Sequence, residues 1–104
     1  MPDESYRIQP LRGEANYATW RVQMMDILGD MDVWDIVSGT ETLPAIETLQ
    51  PDWQKKDRKA LRAIRVRVTP EVINVVQDVD SSRTAWESLC DEYQASGSFG
   101  RVMA

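Results

Sequence analysis

The stretch PDWQKKDRKALRAIRVRV, residues 51–68, decides the fold. Trp53, Ala60, Leu61, Ile64 and Val68 recur at helical spacing and share one face. Seven basic residues take the rest of the circumference: Lys55, Lys56, Arg58, Lys59, Arg62, Arg65 and Arg67. Pro51 suits a first helical position, where its missing N–H costs nothing. The spacing therefore predicts an amphipathic helix from Pro51 to about Val68. Asp57 interrupts the apolar face, and a carboxylate there is costly unless it is hydrogen-bonded or paired. It reads as a structural acceptor for a backbone N–H, an indole or an arginine. With no histidine, nucleophilic lysine or metal partner in the pattern, it is a poor catalytic candidate.

Upstream, Asn16 can cap a helix in which Tyr17, Trp20, Met24, Ile27 and Leu28 form the core face, with Gly29 near its end. Ala18, Val22 and Met25 make a second apolar stripe beside that face. Such a helix either sits centrally in its bundle or offers one face to another molecule, and the central position is preferred. A short helix follows, from Met31 or Asp32 to Val37, with Asp30 and Asp32 at its start, Trp34 and Val37 inward, and Gly39 after it. Residues 40–50 have no steady period and contain Pro44, which predicts a loop.

Downstream, Thr69-Pro70-Glu71 starts a fourth helix by combining a capping hydroxyl, proline and an acid. Val72, Val75, Val76 and Val79 line it. Ser81 or Ser82 caps a fifth, with Trp86, Leu89, Cys90 and Tyr93 inward. The expected architecture is a small all-α bundle of about five helices over residues 16–94. Residues 1–15 form an extended leader packed on it through Tyr6, Ile8 and Leu11. Residues 95–104, opening on Ala-Ser-Gly-Ser-Phe-Gly, form a flexible hinge or the start of a next element.

Composition limits the chemistry. A chain of 104 residues supports one modest core. It has no histidine and one cysteine, so His-dependent relays, mixed Cys/His zinc sites and an internal disulfide are all ruled out. P-loop, dinucleotide-fold and EF-hand spacings are absent. Asp30, Asp32 and Asp35 lack the glycine and closing glutamate of a calcium loop. No enzyme, cofactor or metal is expected. No apolar run approaches the ~20 residues of a membrane span, and the first residues lack the order of a secretory signal. The expected setting is the cytoplasm. Charge is segregated: the block from Lys55 to Arg67 carries seven bases and one acid, against a net charge of -5 for the whole chain. Such a face attracts acidic surfaces or polyanions, or is only the wet side of a helix. Within it, Lys55, Lys56, Lys59 and Arg62 are the candidate contacts for a polyanion or an acidic partner.

The ordered string Leu11-x-Gly13-x-x-Asn16-Tyr17-x-x-Trp20, Met24, Leu28, Trp34-x-x-Val37 resembles the amino-terminal Gag signature of copia-type LTR retrotransposons. It continues with Trp53-x-x-x-Asp57-x-x-Ala60-x-x-x-Ile64, then Ser81, Ala85-Trp86-x-x-Leu89 and Tyr93. Glu14 and Ala15 between Gly13 and Asn16 depart from the family pattern, which has one residue or none there. The resemblance makes Tyr17, Trp20, Trp34, Trp53, Asp57, Trp86, Leu89 and Tyr93 the core signature. It implies a structural lobe like the amino-terminal lobe of retroviral capsids, whose copies assemble into a shell around RNA. It also implies that RNA is held mainly by regions outside this chain. Ala18, Val22 and Met25 are then the candidate lobe-to-lobe interface, in a dissected lobe or a shortened, domesticated descendant. An alternative is a domesticated adaptor that takes a partner peptide in a groove between helices.

Overall fold

The computed structural model describes residues 7–94, and they form five helices in an all-α bundle with no β-strand. Helix α1 is Glu14–Asp30, α2 Trp34–Ser38, α3 Gln50–Arg65, α4 Pro70–Val76 and α5 Ser82–Tyr93, with a 3-10 turn at Glu47–Leu49. Helix α5 packs against α2, α3 and α4, while α1 closes the bundle against α2 and α3. Tyr6 and the Ala95–Gly100 segment, read above as leader and hinge, lie outside the described residues.

Aromatic rings tie the helices together. Trp20 of α1 stacks on Trp86 of α5 with centroids 5.8 Å apart, and Trp34 of α2 meets Trp86 edge-on at 5.3 Å. Tyr17 extends the row, 6.3 Å from Trp20. Offset and edge-on contacts of this kind suit the ring quadrupole. Around them Met24, Leu28, Ala60, Ile64, Val72, Val76 and Leu89 are buried.

The leader is part of this core. Leu11 is fully buried and pairs with Val68 in an isolated parallel bridge. Its N–H donates to the Arg67 carbonyl at 3.0 Å, and its own carbonyl accepts from the Thr69 N–H at 3.0 Å. The Arg67 carbonyl also accepts from Trp20 Nε1 at 2.8 Å. One backbone oxygen thus fastens the leader, α1 and the end of α3 at a single point.

Several local readings change because polar groups are satisfied across the fold. Helix α3 ends at Arg65, because residues 66–67 turn and Val68 is drawn into the bridge with Leu11. Arg67 is buried and not on the wet face; its guanidinium donates to the Ala63 carbonyl at 2.9 Å. Arg65 reaches the carbonyls of Val76, Gln77 and Val79 at 2.9–3.1 Å. It supplies donors to the last carbonyl of α4, that of Val76, and to two carbonyls of the turn that follows the helix.

Asn16 does not cap α1. A first turn opening at Glu14 meets the rest of the helix at a kink at Asn16, whose φ -120° and ψ 15° are non-helical, and the Asn16 side chain bonds none of the helix N–H groups. Its side chain accepts from the Arg12 N–H and donates to the Pro10 carbonyl, both at 2.9 Å, clamping the leader instead. The left-handed residue closing α1 is Asp32, at φ 64°, and not Gly29. The Val33 N–H returns to Leu28 and the Asp32 N–H to Gly29, which is the paired pattern of a Schellman ending. Thr69 precedes α4, but its hydroxyl is buried without a hydrogen bond and makes no cap.

The remaining caps follow local rules. Gly39 ends α2 at φ 87°, and a Cβ there would also lie 2.7 Å from Arg83 Cζ. The Ser81 hydroxyl accepts from the Thr84 N–H at 3.1 Å at the start of α5. Asp57, buried on α3, completes that end: its Oδ1 accepts from the Ser82 N–H at 2.9 Å and the Ser82 hydroxyl at 2.6 Å.

Candidate interaction surfaces

The concave feature that Asp57 borders is small. A pocket of about 210 Å³ is lined by Ile36, Gly39, Leu43, Trp53, Asp57 and Arg83, among others. Ligand sites of drug size usually run to about 300–1,000 Å³. Trp53 is half-buried on its rim, outside the main core, and its Nε1 donates to the Glu41 carbonyl at 3.2 Å. The indole pins the loop between α2 and α3. Among the described residues no group of three or more Asp, Glu or Cys side chains could hold a metal ion. Asp30, Asp32 and Asp35 are all exposed around the α1–α2 corner.

Two tyrosines are shifted by the fold. Burial pushes the Tyr17 phenol up to about 12, with Cys90 beside it adding to the rise. The Tyr17 hydroxyl is closed off from solvent and has no hydrogen bond of ordinary length. Tyr93 is also raised, by burial and then by Glu92. Cys90 is half-buried and not enclosed, and its thiol donates to Gln94 Oε1 at 2.7 Å. Folding favours the protonated Tyr17 phenol. The stability this contributes is complete below pH 10 and is lost as pH rises through about 12. Tyr17→Phe should therefore flatten the alkaline decline: urea midpoints of the two proteins should separate above pH 10, with wild type falling faster. Parallel curves through pH 12 would show that Tyr17 does not govern the alkaline limb.

The outer surface of α3 is strongly basic. Lys55, Lys56, Lys59 and Arg62 are all exposed, as is Arg58. None of these five side chains has a hydrogen-bond or ion-pair partner among the described residues; the surface pair Arg83–Glu87, at 3.1 Å, lies on α5. Ala18 and Val22 also face solvent, Val22 at 56% exposure, so α1 is not central to the bundle. Met25 turns inward and packs against the core, which separates it from the other two members of its stripe.

One surface feature escaped the helical reading. Residues 22–54 contain seven Asp or Glu and no Lys or Arg. The same segment carries four of the five large apolar side chains exposed among the described residues: Val22, Leu43, Ile46 and Leu49. The run without a base is visible in the sequence, whereas the exposure of its apolar side chains is a property of the packed fold.

The family profile described as gag-polypeptide of LTR copia-type matches residues 24–104, most of the chain. This chain belongs to the copia-type Gag family. A curated relative, the retrovirus-related Pol polyprotein from transposon TNT 1-94 of Nicotiana tabacum, is 26% identical over 96 residues. The match covers 91% of this chain but only 7% of the relative's length. No solved structure matches the chain. The copia-type Gag profile takes in α2 to α5 whole and enters α1 at Met24. It therefore covers the basic helix, the Asp57 cap and most of the base-free run. Among the described residues of this Gag domain, no helix is long and apolar enough to cross a membrane.

Proposed function

We propose that this Gag domain is a non-catalytic structural lobe that acts in the cytoplasm by binding further copies of itself, building a shell around RNA that is held mainly by regions outside this chain. The observation that carries the reading is the exposed basic face of α3, unpartnered among the described residues, on a chain of net charge -5 in the copia-type Gag family. Charges left without partners inside one chain are available to the oppositely charged surface of the next. Leu11 of the leader is part of the core and so is not a displaceable occupant of a peptide groove, which weighs against the adaptor alternative.

Sedimentation velocity over a concentration series tests this. At low ionic strength the sedimentation coefficient should climb with protein concentration. It should fall back towards the monomer near 1 M salt, where the screening length drops to about 3 Å. A strict monomer at high concentration and low salt, in this chain and in a version extended downstream, would overturn self-assembly.

A further inference from the structure

Lys55, Arg58, Lys59 and Arg62 stand at i, i+3, i+4 and i+7 on α3, so they form one outward line, and exposed Val66 follows just past its end. Like charges at these spacings repel one another, and no carboxylate among the described residues forms an ion pair with them. The line therefore calls for an outside anion.

Two kinds of partner offer one. A polyanion would explain the bases, but it would approach a chain of net charge -5 and would leave the exposed Val66 without a role. A second copy matches both properties. Its residues 22–54 are acidic without a single base and present exposed Val22, Leu43, Ile46 and Leu49. The α3 line thus sets positive charge beside exposed Val66. The 22–54 segment sets carboxylates beside apolar side chains that are exposed among the described residues, with Arg83 of α5 approaching it at Gly39.

Resting on the self-assembly reading, we propose that the basic line of α3 docks on the acidic run of a second copy, on the surface that carries exposed Asp26 of α1 and Asp35 of α2. The two faces are different surfaces of the chain, so the contact is head-to-tail. Each docked pair keeps one free face of each kind, and such a contact closes into a ring or extends. Charge complementarity sets partner choice and register, and the exposed apolar residues supply area to bury.

Charge exchange in the full chain tests the pairing. One variant carries Lys59→Glu and Arg62→Glu; the other carries Asp26→Lys and Asp35→Lys. All four positions are exposed, so both variants should keep the wild-type helical signal, with only a small drop in thermal midpoint where Asp35→Lys sets a base in the first turn of α2. In sedimentation at low salt each variant alone should self-associate at least about tenfold more weakly than wild type. An equimolar mixture should co-assemble, because each variant then supplies the charge the other lacks. If wild type associates and the variants associate equally well, the contact lies elsewhere and this inference falls, while self-assembly stands. If wild type stays monomeric but binds a single-stranded RNA oligonucleotide through Lys59 and Arg62, the α3 line is a polyanion surface and both readings fall. Failure of the mixture to co-assemble would overturn the pairing of these two faces.

Discussion

Trp20→Ala should cost about 3–5 kcal/mol, a large part of the stability of a domain this small. The indole is 1% exposed and stacks on Trp86. Truncation leaves a cavity that neighbouring side chains fill only in part, and this adds to the lost transfer energy. It also removes the Nε1 donor from the Arg67 carbonyl, the oxygen that holds the leader through Leu11. Trp20→Phe keeps a ring in the stack but lacks the donor, so it should cost less, about 1–2 kcal/mol. Urea titrations followed by far-UV circular dichroism give both values. A loss below about 1 kcal/mol for the alanine variant would mean that the junction at Arg67 is not central to stability.

Asp57→Ala should destabilise by about 2–4 kcal/mol, an unusually large effect for removing one acid from a small protein. The carboxylate accepts both Ser82 donors, and Ser82 is fully buried. Without it, the N–H and hydroxyl of the first residue of α5 face the interior with no acceptor, and the negative charge near that helix N-terminus is lost. Ser82→Ala removes only the hydroxyl and keeps the N–H bond, so it should cost about 1 kcal/mol. Asp57→Asn should fall between the two, since its amide oxygen can still accept. The decisive comparison is the double variant. Asp57→Ala should cost clearly less in the Ser82→Ala background than alone, because the two residues share a bond. Additive losses would place the energy of Asp57 elsewhere.

The position of Asp57 shows how far the sequence carries. A carboxylate in the middle of an apolar helix face is anomalous in a string of letters, and the need for a hydrogen-bond donor follows from desolvation alone. That the donors belong to Ser82, twenty-five positions downstream, does not follow. The basic residues repeat the lesson. Lys59, Arg62, Arg65 and Arg67 look alike by helical projection, yet only the first two face solvent. Arg65 caps another helix and Arg67 folds back on Ala63. Asn16 reads as a cap by the same local logic, and the leader claims its side chain.

The sequence by itself determined the number and order of the helices, most of their inward faces, and the family. These depend on spacing of 3.6 residues and on chemistry within one turn, both local to the chain. Only the tertiary structure decided where α3 ends, which cations stay free, and that Leu11 belongs to the core. Each of these depends on which unpaired backbone group lies within reach once distant segments have packed. Trp20 and Arg67 are 47 residues apart, and their shared hydrogen bond arises only when the bundle closes.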